Sequence, residues 1–192
     1  MKFYYPSGLL QADPDSPRDG NNTAWAWGYG DYQHQCIKGI EDSIRYLIRY
    51  IDQHGPFIGI MGFSSGAALA TIITSLLEGK NTIIGLEDQI SHPPFSFGVC
   101  FSGFKLKHSF YDTAYRYKVQ TPILHVIGDL DSMIPPSDTR ELVRQCENAE
   151  VFNFHGAHQI PKNAVQFPAI LQDFAQRAVS CEDDESLWVD EF

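Results

Sequence analysis

The sequence lacks the features that would place it in several large classes of protein. Its longest apolar stretch, around Ala67 to Leu77, is interrupted by Thr71, Thr74 and Ser75, whereas a membrane-spanning helix needs about 20 apolar residues. Basic residues are few, 14 Lys and Arg against 24 Asp and Glu, for a net charge of −10. No basic patch suited to neutralising phosphates is visible, so neither nucleic acid nor a membrane is expected as a partner. The four cysteines, Cys36, Cys100, Cys146 and Cys181, contain no CxxC pair, which argues against a disulfide framework and against structural zinc. Reduced thiols and a cytoplasmic setting are the expectation, with Cys100 as a small core residue. The opening MKFYYPSGLL has one Lys and no apolar core before Pro6, and does not read as a signal peptide.

What is present fits one soluble domain. A length of 192 residues with 43% hydrophobic and 20% charged content can bury a sizeable core. The expected domain covers 1–180, followed by an acidic tail over 181–192 that reads as a solvated, frayed end. Lys2 to Tyr5 reads as a short strand and Asp13 to Asn22 as a loop rich in turn residues. From about Tyr32 to Gln53, apolar residues recur at three- and four-residue steps, which predicts a helix ended by Gly55-Pro56.

Strands and helices then alternate. Phe57 to Gly62 reads as a strand buried on both faces, and Ser65 to Leu77 as a helix stopping near Gly79. Strands are expected at Phe97 to Phe101, Pro122 to Ile127 and Val151 to Phe154. Helices are expected at Ser137 to Cys146, with Ser137 as a possible cap, and at Asn163 to Val179. Repeated β–α–β order predicts an α/β fold with a mainly parallel sheet flanked by helices. Functional sites of such sheets lie at the C-terminal strand ends.

Three motifs fall at those ends. Gly62-Phe63-Ser64-Ser65-Gly66 joins a strand to a helix. A serine hydroxyl is a weak nucleophile that must be presented to a base, and a tight glycine-flanked turn does this. The Ser65 N–H, at the helix start, would face a developing oxyanion. Gly128-Asp129-Leu130-Asp131 follows the PILHVI strand and offers a carboxylate that could orient a histidine. Asp131 is preferred and Asp129 is the alternative. His155-Gly156-Ala157-His158 follows the VFNF strand and offers a general base, with His158 preferred and His155 the alternative. The order Ser, Asp, His, each after a strand, is that of α/β-hydrolases. Trp25 and Trp27 would suit an apolar substrate pocket or ordinary packing equally well. His155 and His158 lack a third ligand, so no metal is expected, and no motif calls for a cofactor.

On AWAWG, GPFIGIMGFSSGAALA, TPILHVIGDLD and HGAHQIPKN, the chain resembles the FSH family of serine hydrolases, from its N-terminus to about Val179. The resemblance implies an α/β-hydrolase in which Ser64 takes the nucleophile's place, Asp131 the acid's and His158 the base's. It also implies hydrolysis of carboxylic esters or thioesters. Some fungal members are thioesterases that release a polyketide acyl chain from a carrier protein. Ser65 stands where the family usually has Gln, and the histidine loop is one residue shorter than its common HxGGH form. Family members open with a strand ending in His-Gly, whose loop supplies a second oxyanion N–H. This chain starts near the family's second strand, so a sheet lacking the usual N-terminal strand and oxyanion loop is expected. The alternative to an enzyme is a truncated or degenerate hydrolase-fold protein that binds an acyl ligand or a protein partner.

Overall fold

Apolar runs of five or six residues, separated by glycine, proline and polar turns, suit strands joined by crossovers. In the computed structural model four of them pair side by side. The structure describes residues 2–13, 24–32, 34–83 and 90–185, with only the backbone given for 181–185. The chain begins with a small antiparallel pair, β1 (Leu10–Gln11) and β2 (Trp25–Ala26). Next come α1 (Ile40–His54), β3 (Gly59–Phe63), α2 (Ser65–Leu77) and β4 (Phe97–Phe101). A 3-10 helix (Ser109–Tyr115) precedes β5 (Ile123–Gly128), α3 (Pro136–Val143), β6 (Ala149–Phe154) and α4 (Phe167–Glu185). Strands β3, β4, β5 and β6 lie in that order, each parallel to the next.

The two central strands are buried along their whole length, as expected for a parallel sheet covered on both faces. Their side chains sort by alternation. Phe97, Val99 and Phe101 of β4, with Leu124 and Val126 of β5, pack with Phe167, Phe174 and Ala178 of α4. Cys100 and Ile123 point the other way, against Ala67 and Ala70 of α2. Helix α1 adds Ile40, Ile44, Leu47, Ile48 and Ile51 to the large cluster on that second side. Phe174 is 1% exposed and meets Phe97 edge-on at 6.1 Å. Truncating a phenylalanine so enclosed costs about 3–5 kcal/mol.

Several boundaries differ from the sequence reading. Helix α1 starts at Ile40, because Tyr29 and Lys38 pair across a loop and Gly39 turns the backbone with φ 83°. Ile37 lies outside the helix yet is fully buried, its N–H donating to the Tyr111 hydroxyl at 2.8 Å. Residues 2–5 form no strand. The expected loop falls mostly on 14–22, outside the described residues. Helix α3 starts at Pro136 with no side-chain cap, and Ser137 lies within it. The backbone of α4 continues across the 180/181 boundary to Glu185.

The largest difference concerns β3. It was expected to be buried on both faces, but it ends the four-stranded sheet. Ile58, Met61 and Phe63 are all at least 36% exposed. Its run GIMGF carries none of the charge or proline that usually protects an edge. The opposite edge, β6, alternates exposed and buried residues and carries Glu150, which pairs with Arg177 at 2.8 Å. Among the described residues no helix is long and apolar enough to cross a membrane.

Candidate active site

Ser64 sits between the last residue of β3 and the first residue of α2. Its backbone adopts φ 54°, ψ −122°, a conformation that L-residues avoid and that costs about 1–3 kcal/mol. Two features hold it there. The Ser64 N–H donates to the Phe101 carbonyl at the end of β4, at 2.9 Å. The Ser64 carbonyl accepts from the N–H groups of Ala67 and Ala68 in the first turn of α2. Gly62 is required by the close return of the chain, since a Cβ there would stand 2.2 Å from the Gly66 carbonyl oxygen. Gly66 is less constrained, its nearest neighbour being the Trp27 indole at 3.7 Å from a built Cβ.

The other two loops lie side by side because the β5–β6 register carries on past the strands. Gly128 pairs with Phe154, the Asp129 N–H donates to the Phe154 carbonyl, and the Leu130 N–H donates to the Gly156 carbonyl. This sets each aspartate opposite a histidine. Asp131 Oδ2 meets His158 Nδ1 at 2.8 Å, and Asp129 Oδ2 meets His155 Nδ1 at 2.9 Å. Asp131 Oδ1 also accepts from the N–H groups of Met133 at 3.0 Å and Ile134 at 2.8 Å. Burial by itself would push the Asp131 carboxyl up. The Ile134 N–H, His158 and the nearby Ser102 hydroxyl outweigh that, so the group lies below the usual carboxylate range. Asp129 is also lowered, first by its bond to His155, which more than offsets its slight desolvation.

In the preferred pair Asp131 is buried and His158 largely enclosed, whereas Asp129 and His155 face solvent. The ring of Phe63 lies 4.6 Å from that of His158. The imidazole therefore stands beside the residue preceding Ser64, across the sheet from the strand that delivers it. With Nδ1 engaged by Asp131, Nε2 is the nitrogen left for proton transfer. Among the described residues no hydrogen bond joins Ser64 Oγ to His158. His155 and His158 each hold their own carboxylate, and among the described residues no cluster suited to a metal ion occurs.

The two tryptophans differ. Trp27 packs against the large core cluster, with its indole near Gly66 at the start of α2. Trp25 is 54% exposed on β2. A shallow cavity of about 360 Å³ opens beside the histidine loop, lined in part by Phe154, His155, Gln159 and Asn163, and neither tryptophan lines it. Two neighbours were missed in the sequence. Tyr32, half-buried, brings its hydroxyl close to Ser65, and its burial pushes the phenol pKa up. Ser102 is buried beside Asp131. Neither belongs to a motif; only the Ser-Gly pair at the end of a strand hints at a turn there.

A parallel sheet with a strained serine between strand and helix, and an Asp–His pair on the loops after β5 and β6, defines the α/β-hydrolase class. Zea mays acyl-protein thioesterase 2 has the same fold, with a TM-score of 0.59 at 17% identity over 80% of this chain and 74% of that one. The family model described as serine hydrolase (FSH1) matches residues 1–170, and the chain belongs to that family. A Saccharomyces cerevisiae protein named family of serine hydrolases 3 is 35% identical over 95% of this chain and 74% of its own length. An esterase of Xenopus tropicalis is 31% identical over 80% of this chain and 66% of its own. The chain spans only 40% of the length of two Schizosaccharomyces pombe relatives, one named a dihydrofolate reductase and the other a hydrolase.

Proposed function

We propose that this serine hydrolase cleaves carboxylic esters or acyl thioesters through an acyl-Ser64 intermediate. The observation that carries the reading is the enclosed Asp131–His158 pair, its imidazole against Phe63, the residue preceding a serine held at positive φ. His158 Nε2 takes the Ser64 proton as Oγ attacks the acyl carbonyl carbon. The oxyanion that forms faces the Ser65 N–H at the start of α2. The C–O or C–S bond then breaks, and the leaving alcohol or thiol takes the proton from His158. A water gives its proton to the same nitrogen and attacks the acyl carbonyl carbon; the ester bond to Ser64 then breaks, Oγ takes the proton back from His158, and the carboxylic acid leaves. Asp131 keeps His158 in one orientation and stabilises the imidazolium without accepting its proton. Catalytic hydrogen bonds are often long in unliganded enzymes and tighten with substrate, which accommodates the unbonded Ser64 hydroxyl.

The fold shared with an acyl-protein thioesterase, and membership of a family in which some fungal proteins are thioesterases, extend the proposed substrate class to acyl chains on a carrier protein, polyketide chains among them. Trp27, beside the start of α2, is the better placed of the two tryptophans for an apolar acyl group. The free thiols of Cys36, Cys100 and Cys146 suit a reducing compartment such as the cytoplasm. A second reading, an acyl- or protein-binding protein without turnover, draws on the bare β3 edge and the unbonded Ser64 hydroxyl. Labelling with a fluorophosphonate, read by intact mass and peptide mapping, separates the two. Modification of Ser64, lost in Ser64→Ala and in His158→Ala, is the expected result. A folded protein that takes no label supports the binding reading.

A further inference from the structure

Among the described residues only Ser64 and Ser102 combine a side chain with positive φ, at 54° and 47°. The two are connected. The Phe101 carbonyl, in the peptide preceding Ser102, accepts from the Ser64 N–H, and the Ser102 N–H donates to the Val126 carbonyl of β5. Ser102 thereby links the turn carrying Ser64 to the strand leading into Asp131. It is 2% exposed, and its hydroxyl makes no hydrogen bond of ordinary geometry among the described residues. A buried hydroxyl without a partner is unfavourable, and in a native fold it calls for an explanation.

The Asp131 carboxylate supplies one. A carboxylate offers about four lone-pair sites. The Met133 and Ile134 N–H groups occupy Oδ1, and His158 occupies one site on Oδ2. One site on Oδ2 is left, and Ser102 lies close enough to the carboxylate to hold its pKa down. We propose that Ser102 is a positioning residue whose hydroxyl donates to this free site on Asp131 Oδ2. The idea rests on Asp131 and His158 being the acid–base pair. Without Ser102, Oδ2 has a single partner and is released whenever His158 moves during turnover. With it, the carboxylate stays aimed at Nδ1 and part of its charge is met by the hydroxyl.

The other charged groups nearby are the exposed Asp129–His155 pair one loop position away, and the Lys107, Asp138 and Glu141 cluster at α3. His125 lies within β5 and is held neutral, its pKa lowered by burial to about 4. Both Ser102→Ala and Ser102→Gly leave all of these in place.

The test measures the His158 pKa by NMR, together with the pH profile of ester hydrolysis, in wild type and both variants. Removing the hydroxyl turns more of the Asp131 charge onto the imidazolium and stabilises it. The His158 pKa and the acid limb of kcat/KM should both rise, by about half to one pH unit. A fall in kcat of about 5- to 30-fold with little change in KM should accompany this. Ser102→Gly also relaxes the left-handed backbone. A loss confined to Ser102→Ala would make the role one of backbone geometry and overturn the proposal. An unmoved His158 pKa in both variants would overturn it as well. The NMR measurement needs no turnover, so a catalytically silent wild type would defeat the hydrolase reading while leaving Ser102 and Asp131 still decided.

Discussion

Two Asp–His pairs sit on the same two loops, formed by the same kinds of residue at nearly the same distance, yet their surroundings differ sharply. In the Asp131–His158 pair the side chains are 1% and 12% exposed; in the Asp129–His155 pair the aspartate is 51% and the histidine 80% exposed. An exposed pair gains little from its partner, because water and salt screen the attraction. A buried one fixes the tautomer and direction of its histidine, and its carboxylate is tied to two further N–H groups. Equal bond lengths therefore say nothing about role; enclosure and the remaining contacts distinguish the two.

The largest effect should come from breaking the inner pair. Asp131→Asn should lower kcat for an activated ester by about 10³–10⁴-fold, through loss of the correct tautomer. Asp129→Asn and His155→Ala should stay within about threefold of wild type, as an exposed pair allows. Equal losses for the two aspartates would erase the distinction. In stability, Asp131→Ala should cost about 1–3 kcal/mol by urea unfolding, since it leaves the Met133 and Ile134 N–H groups without their acceptor. Asp129→Ala should lower the midpoint less, since it frees only the Gly156 N–H, which donates to Asp129 Oδ1 at 3.0 Å, and its side chain is exposed.

A third histidine sharpens the contrast by having no partner. His125 is fully buried on β5, in register between Cys100 and Val151, and neither ring nitrogen has a hydrogen bond among the described residues. Its pKa is lowered from 6.5 to about 4 by burial. Below pH 6.5 the unfolded chain binds a proton that the native state refuses, so stability falls with pH until the native His125 protonates near 4. Going from pH 7.5 to pH 5, that loss amounts to about 2 kcal/mol. His125→Leu should abolish this part of the pH dependence, measured as urea unfolding at the two pH values. Asp131 acts with the same sign at lower pH. Its lowered pKa gives stability that is present above the ordinary value of 3.8 and lost as pH falls through its native pKa. The two contributions therefore separate on the pH axis. The smallest effect is expected from salt: raising it to 1 M should alter hydrolysis by wild type and by Asp129→Asn alike, because the exposed pair is already screened.

Much of the architecture was legible along the chain. Helix α2 and strand β4 have the bounds read from the sequence, because apolar runs flanked by glycine and proline leave little choice of element. The serine turn was legible for the same reason, GFSSG lying directly between two such runs. Where the reading failed, contacts distant in sequence had intervened. The periodicity from Tyr32 onward suited a helix, but pairing of Tyr29 with Lys38 holds that stretch open. The run FIGIMG reads as a doubly buried strand, and composition cannot reveal that among the described residues β3 has a neighbour on one side only.

By itself the sequence determined the class of fold, the family and the three loops that carry Ser64, the two aspartates and the two histidines, since these follow from local pattern and chain order. It preferred Asp131 to Asp129 and His158 to His155, but could not show which pair would be enclosed, because each offers the same functional group at almost the same place. Nor could it show that Ser102 comes beside Asp131. Tertiary structure decided the enclosure of each pair and the neighbours of Asp131. Extension of the β5–β6 register sets the aspartates opposite the histidines, and packing under the loops buries one pair while leaving the other in water.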